Sequence, residues 1–140
     1  MENVIARNNM ENFILGGNCT FTLSSKRTNN HYVYNIRANK KKTIYFVTVK
    51  DYNADVYAGY IKRRGEKYIY VKGGKGAYDM NDNRILSLMW FLNHIKDNDI
   101  EAKIVLQHNG KCCKCGKTLT DPISIERGCG PECAKIVFGK

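Results

Sequence analysis

The sequence lacks an apolar run long enough to cross a lipid bilayer. Its longest apolar stretch, ILSLMWFL at residues 85–92, falls far short of the roughly 20 residues that a membrane-spanning helix needs. The N-terminal residues also lack the charged start, apolar middle and small-residue cleavage site of a secretory signal. We therefore expect a cytoplasmic protein. In that reducing compartment, clustered cysteines favour a metal site over a disulfide framework.

Acidic residues are scarce: 13 Asp and Glu stand against 23 Lys and Arg. A protein that mimics DNA would be acidic, so this class is disfavoured. The basic excess falls in short runs, which are typical either of solvated hairpin turns or of a surface for an anionic partner. Because several runs share one half of the chain, we favour a nucleic acid, a nucleoprotein or an acidic protein face as the partner. A membrane surface is disfavoured because no amphipathic helix carries these charges. The candidate partner-binding residues are Lys40, Lys41, Lys42, Lys62, Arg63, Arg64 and Lys67.

Several catalytic motifs are also missing. The chain has neither the H-E-x-x-H of metalloproteases nor the H-x-E with P-C-x-x-C of zinc deaminases. The segment GGKG at residues 73–76 lacks the spacing and the hydroxyl of a phosphate-binding loop. Residues 116–132 contain no histidine, which an HNH-type nuclease would need there. We therefore expect a protein that is not an enzyme and takes no small-molecule substrate.

Most of the N-terminal half has the pattern of an antiparallel sheet. β-branched and aromatic residues occur in runs of five to eight, separated by clusters of Gly, Asn, Asp and Lys. In HYVYNIRA, Tyr34 and Ile36 alternate with polar residues, so one face should be buried and the other partly wet. The pattern predicts strands near residues 19–25, 31–38, 43–50, 55–62, 67–72 and 103–107.

One helix is predicted over residues 83–96, with Asp82 as its N-cap. Apolar residues recur at helical spacing on one side, and Leu86, Trp90 and Phe91 widen the apolar surface. We therefore expect the helix to lie between the sheet and the C-terminal module, with Trp90 in the core. The predicted fold is α+β: an N-terminal arm (1–12), an antiparallel sheet packed on one central helix (13–102), and a small treble-clef zinc-finger module (103–140).

Five of the six cysteines lie within residues 112–133. The C-x-x-C pair of Cys112 and Cys115 can converge on one ion, and Cys133 follows Gly-Pro in the first turn of a predicted helix. A C-x-x-C turn (a zinc knuckle) followed by a ligand from the first turn of a helix is the treble-clef arrangement of a structural zinc site. The fourth ligand is either His108 or Cys129, and spacing alone leaves both open. Cys113 is one residue out of phase with the pair and should point away from the metal, while Cys19 is expected to be buried.

The segment HNGKCCKCGKTLTDPISIERGCGPEC resembles a C-terminal zinc-finger family of small phage proteins, with the pattern H-x-G-x-C-x-x-C-G and a final G-x-G-P-x-C. That family carries the histidine and usually has an aliphatic residue at the position of Cys129. The resemblance therefore implies zinc ligands His108, Cys112, Cys115 and Cys133, with Cys129 as the alternative to His108. The chain also looks like the zinc-containing type II anti-CRISPR proteins of phages.

Two functions follow as expectations. The resemblance implies an inhibitor in the host cytoplasm that binds an RNA-guided nuclease and blocks loading of guide or target DNA. The basic runs suggest instead a phage DNA- or RNA-binding protein of replication or transcription. In that case lysines and arginines would track phosphates, while a tyrosine such as Tyr32, Tyr45, Tyr57 or Tyr70 would stack on bases.

Overall fold

A six-stranded antiparallel sheet forms the centre of the structure, a computed structural model that describes residues 2–139. The strand order is β5-β4-β3-β2-β1-β6, so the first five strands form a meander and the last returns beside the first. The strands are β1 (Asn18–Ser25), β2 (His31–Ala38), β3 (Ile44–Asp51), β4 (Ala54–Arg64), β5 (Lys67–Val71) and β6 (Ile104–His108).

Alternation of side chains explains why these segments form strands. In β2, Tyr34 and Ile36 are buried, whereas Asn35 and Arg37 between them face the other side of the sheet. β1 shows the same period, because Cys19, Phe21 and Leu23 are all buried. The predicted strands are confirmed, with boundaries that differ from the observed ones by two residues or fewer.

Five helices accompany the sheet, and none in the described part of the chain is long and apolar enough to cross a membrane. The predicted helix is confirmed but ends two residues early, and its N-cap Asp82 accepts a hydrogen bond from the amide of Arg84 at 2.9 Å. The helices are α1 (Arg7–Ile14), α2 (Asn83–His94), α3 (Ile100–Lys103), α4 (Pro122–Arg127) and α5 (Pro131–Val137).

The main core lies between one face of the sheet and helices α1 and α2. The ring of Phe21 lies 6.2 Å from that of Phe13 on α1 and 6.5 Å from that of Phe91 on α2. Tyr34, fully buried beside Phe21, donates its hydroxyl to the carbonyl of Arg84 at 2.7 Å. Both helices therefore cover the same face. Burying the hydroxyl of Tyr34 costs little free energy, because the hydroxyl has a hydrogen-bond partner.

The expected covering of the second apolar side of α2 was wrong. Leu86 is 46% exposed, and with Trp90 it lines an open groove of about 680 Å³ that also contains Lys26 and Lys103. Trp90 is only partly buried and stacks on His94 with 4.3 Å between ring centroids. The C-terminal module instead packs next to α1, where the ring of His108 lies 6.1 Å from that of Phe13 and a side chain at Gly128 would collide with Phe13.

Strand β6 joins the cysteine-rich segment to the sheet. It pairs with β1, for example Leu106 with Leu23, and on its other side Val4 forms a bridge with Gln107. Ile5, next to that bridge, is fully buried. The N-terminal residues and the first strand of the predicted zinc module thus share one core with the sheet. Whether 1–12, 13–102 and 103–140 behave as separate folding units stays a prediction.

Candidate metal centre

A tight hairpin after β6 presents the first two cysteines. The amide of Cys112 donates to the carbonyl of Lys117 at 2.9 Å, and the amide of Gly116 donates to the carbonyl of Cys112 at 3.1 Å. Gly116 has a φ of +78°, a left-handed conformation that glycine adopts without steric cost. The turn therefore places Cys112 and Cys115 on the same side.

The third cysteine comes from the start of α5. Helix α4 ends at Arg127 and is capped by Gly128, whose φ is +69°. A short link through Cys129 and Gly130 follows, and α5 begins at Pro131. Cys133 thus lies in the first turn of α5 and faces the hairpin. The Gly-x-Gly-Pro pattern stops one helix and starts the next within a few residues.

Three sulfur atoms come together between the hairpin and α5, and the sulfur of Cys129 lies beside one of them, outside that group. The Sγ atoms of Cys112, Cys115 and Cys133 all lie within 4.8 Å of one another. The Sγ of Cys129 lies 3.9 Å from that of Cys112. Two thiolates that share one zinc at about 2.3 Å each are about 3.8 Å apart, so these separations fit a common ion. The residues present can therefore hold a metal.

Backbone amides prepare Cys112 for coordination. Its Sγ accepts hydrogen bonds from the amides of Lys114 at 3.4 Å and Gly130 at 3.3 Å. Burial by itself would raise the pKa of the Cys112 thiol, but amides from Cys115, Gly130 and Lys114 together lower that pKa to about 6. Cys112 is thus the sulfur that the protein itself stabilises as a thiolate.

Two of the other three coordinating candidates, Cys129 and Cys133, differ from Cys112 in their surroundings. Burial raises the pKa of the Cys133 thiol to about 12, with neighbouring thiols adding to the effect. The pKa of Cys129 is also raised, first by its contact with the thiol of Cys113 and then by burial. A bound cation reverses this tendency, because metal coordination deprotonates a thiol directly. Cys129 and Cys133 are therefore expected to ionise to thiolates when a cation binds among the sulfur atoms.

The structure does not bring His108 to the sulfur atoms. Its Nε2 donates to the carbonyl of Ile125 at 2.6 Å, and its Nδ1 accepts from the amide of Gly110 at 2.9 Å. Because a carbonyl only accepts and an amide only donates, these partners fix the neutral tautomer. Burial accordingly lowers the pKa of His108. The H-x-G spacing has a structural reason here: the histidine closes the turn at Gly110 and ties it to α4.

Cys113 and Cys19 are buried and lie outside the group formed by Cys112, Cys115 and Cys133, and the Cys113 thiol contacts that of Cys129. The Cys113 amide donates to the carbonyl of Gly128 and its carbonyl accepts from the amide of Asn18, both within 3 Å. A side chain at Gly16 would collide with the Cys113 sulfur. Burial raises the pKa of Cys19, whose thiol donates to the carbonyl of Ile14, to about 12. Cys113 therefore fastens the hairpin to the start of β1.

The predicted basic residues do come together, at one end of the sheet. The β2–β3 turn and the β4–β5 turn are at the same end, and Lys62 lies directly opposite Ile44. All seven side chains are exposed, and within residues 2–139 none of them forms an ion pair. We call this set the cationic end: Lys40, Lys41, Lys42, Lys62, Arg63, Arg64 and Lys67.

Two of the tyrosines predicted to stack on bases do not present their rings to solvent. Tyr45 and Tyr70 are both buried, and the hydroxyl of Tyr70 donates to the carbonyl of Ala58. Tyr32 and Tyr57 are partly exposed. Phe46, which is not among the tyrosines predicted to stack on bases, is 39% exposed on the outer side of β3. Strict alternation along β3 would have revealed it, because Tyr45 and Val47 on either side point inwards.

Comparison with known proteins extends only to the cysteine-rich segment. A family model described as "Family of unknown function (DUF6011)" matches residues 106–138. The match begins in β6 and ends just after α5, so it includes the hairpin and every cysteine of the candidate centre. No curated protein and no solved structure matches the chain.

Proposed function

We propose that Cys112, Cys115, Cys129 and Cys133 bind one structural Zn²⁺ in a treble-clef arrangement. The separations among the sulfur atoms of Cys112, Cys115 and Cys133 support a common ion, as do the two amides directed at Cys112. The sulfur of Cys129 lies outside this group but only 3.9 Å from that of Cys112. Cys129 replaces His108 as the preferred fourth ligand because both ring nitrogens of His108 already have main-chain partners. Soft thiolate ligands suit zinc, and a shell of four of them leaves no position for a reacting water molecule.

The ion would add a further link between the hairpin and the segment around α5, which hydrogen bonds such as that from the Cys113 amide to the Gly128 carbonyl already join. Cys112 and Cys115 belong to the hairpin after β6, whereas Cys129 and Cys133 flank the start of α5. Both α4 and α5 have fewer than eight residues, which is too short for a helix to be stable alone. Zinc is therefore expected to contribute most of the free energy that orders the segment after β6.

We propose further that the protein binds nucleic acid through the cationic end. The observation that carries this proposal is the convergence of seven exposed, unpaired cations on two neighbouring turns. Glu66 is the one acidic residue in those two turns. Such a concentration of charge attracts a polyanion and displaces its counterions, which is the main source of affinity for a phosphate backbone.

The test is binding to a labelled oligonucleotide at several salt concentrations. The variant Lys62→Gln/Arg63→Gln/Arg64→Gln should bind more weakly and show a salt slope smaller by about 2 to 3, because each lost phosphate contact releases one fewer counterion. A charge-matched control is Arg27→Gln/Lys111→Gln/Lys117→Gln, which changes exposed cations elsewhere. Equal loss in both triple variants would show non-specific attraction to net charge and would contradict a site at the cationic end.

Inhibition of an RNA-guided nuclease remains a proposal that rests on the sequence resemblance. An inhibitor of this kind would place the same cations against an acidic protein face or against the bound strands. A pull-down from host lysate treated with nuclease distinguishes the two proposals. Retention of that nuclease after removal of nucleic acid would favour the inhibitor, whereas salt-sensitive oligonucleotide binding by the purified protein favours the nucleic-acid binder.

A further inference from the structure

The outer face of the sheet carries a row of side chains next to the cationic end. Phe46 on β3 lies directly opposite Tyr60 on β4, and the row continues to Arg37 on β2 and Val71 on β5. Strand alternation directs this row away from the buried face, where Val47 and Ile61 point to the core. Because α1 and α2 pack on that buried face, neither covers Phe46 or Tyr60.

A shallow cleft surrounds the two rings. It has a volume of about 460 Å³ and is lined by Phe46, Tyr57 and Tyr60 on the strands and by the loop that follows β5. That loop contributes Lys72, Gly73, Gly74 and Lys75. A φ of +67° at Gly73 lets the loop bend beside the ring of Tyr60. The floor is therefore aromatic and the rim carries Lys72 and Lys75, of which Lys72 also forms a long, exposed ion pair with Asp79 at 4.0 Å.

The cleft is continuous with the cationic end. Lys62 follows Tyr60 by two residues and so shares its face of β4, about 7 Å further along the strand. On the adjacent strand, Ile44 opposite Lys62 precedes Phe46 by two residues. A chain that crosses the sheet from the turns to the loop after β5 would meet cations first, then aromatic rings, and then Lys72 and Lys75.

We propose that this face binds single-stranded nucleic acid, with bases stacked on Phe46 and Tyr60 and phosphates held by Lys62, Lys72 and Lys75. The inference rests on the proposed nucleic-acid binding and adds the form of the ligand and its site. Bases of a duplex are already stacked and paired, so they cannot reach aromatic rings on a sheet, whereas unpaired bases can. Proteins bind single strands through accessible aromatic rings that stack on the bases, with cations nearby that hold the phosphates.

The experiment measures fluorescence anisotropy of a labelled 12-nucleotide single strand and of its duplex with the full-length protein. The single strand should bind more tightly than the duplex. Phe46→Ala and Tyr60→Ala should each weaken single-strand binding about 5- to 100-fold, because each removes a stacking platform. Their salt slopes should match that of the unaltered protein, since no phosphate contact is lost.

Two matched variants separate stacking from general damage. Tyr52 is 99% exposed in the β3–β4 turn, at the other end of the sheet, so Tyr52→Ala removes an exposed aromatic ring outside the cleft and should leave affinity unchanged. Tyr60→Phe keeps the ring and should retain most of the affinity that Tyr60→Ala loses. Loss of affinity in Tyr60→Phe equal to that in Tyr60→Ala would overturn the stacking assignment.

The remaining outcomes distinguish this inference from the function on which it rests. If the cationic-end variant weakens binding but Phe46→Ala and Tyr60→Ala bind as well as the unaltered protein, nucleic-acid binding stands and the single-strand site is wrong. Equal affinity for single strand and duplex would overturn the inference in the same way. If neither form binds even at low salt, the proposed function itself is wrong.

Discussion

The Sγ atoms of Cys112 and Cys129 lie 3.9 Å apart although 17 positions separate the two residues in the chain. The first belongs to the hairpin after β6 and the second to the link between α4 and α5. Such a distance is too long for a disulfide bond, whose sulfurs are about 2 Å apart, but it matches two ligands of one zinc ion. Cys129 thus lies next to the group of Cys112, Cys115 and Cys133, and on this ground we propose it as the fourth ligand.

Cys129 and His108 can be distinguished by their effect on metal content. Cys129→Ser should lose stoichiometric zinc, whereas His108→Gln should still contain about one zinc per chain, measured by elemental analysis of purified protein. His108→Gln should instead lower the free energy of unfolding by about 1–3 kcal/mol, because it disturbs two buried hydrogen bonds. Cys19→Ser, which alters a buried thiol outside the cluster, serves as the control. Loss of zinc from His108→Gln and its retention in Cys129→Ser would reverse the assignment.

Removal of the metal should loosen the segment after β6 before the rest of the sheet. In hydrogen exchange, the amides of residues 109–138 should lose protection after treatment with a chelator, while those in β2, β3 and β4 keep theirs, because structural zinc contributes about 10–16 kcal/mol in small zinc-binding peptides. Alkylation of the exposed Cys115 should also become faster, as its sulfur is freed from coordination. Unchanged exchange after complete removal of zinc would contradict a structural role for the ion.

Gly16 should tolerate no side chain. A Cβ there would lie 2.4 Å from the Sγ and 2.9 Å from the carbonyl oxygen of Cys113, so the backbone of the hairpin would have to move. Gly16→Ala should lower the free energy of unfolding by about 1–3 kcal/mol in urea titrations. Gly74→Ala is the control, since no atom lies within 4 Å of the added Cβ, and its change should stay below about 1 kcal/mol. A neutral Gly16→Ala would show that Cys113 is not tightly held.

The N-cap of α2 makes stability dependent on pH. The Asp82 carboxylate accepts from the side chain and the amide of Arg84, and these interactions hold its pKa below the ordinary value. Because the pKa is lower in the folded state, this stabilisation is present above the unfolded pKa of about 3.9 and is lost as pH falls through the folded pKa. Urea unfolding should therefore show that Asp82→Asn, which keeps a capping oxygen, loses less stability between pH 7 and pH 3 than the unaltered protein. An identical pH dependence in the two proteins would show that Asp82 contributes nothing to it.

Local patterns in the sequence predicted much of the fold. Alternation in β2 and the Asp82 N-cap depend on residues next to one another, so both were predictable. Which side of α2 stays uncovered was not predictable from the sequence, because it depends on where the segment after β6 packs in the folded protein. Leu86 looks apolar and buried in the sequence, yet in the structure it faces a groove.

Only part of the candidate metal centre depends on local patterns, so only that part was predictable from the sequence. Cys112, Cys115 and Cys133 follow from spacing, since a tight turn and a helix start are local features. The environment of His108 is non-local: its partner carbonyl belongs to Ile125, 17 positions away, and no spacing reveals where that carbonyl lies. The resemblance to a family pattern pointed to His108 as a candidate ligand, but it could not predict the main-chain groups to which His108 is hydrogen-bonded.

The pairing of β6 with β1 has a consequence for shortened versions of the protein. Deleting the chain from residue 104 onwards would remove a neighbour from β1 and uncover a row of main-chain amides and carbonyls from Phe21 to Ser25. Such a bare strand invites pairing with another molecule. We therefore expect the shortened protein to self-associate in size-exclusion chromatography, because β6 no longer keeps the edge of β1 from pairing with other copies of the chain.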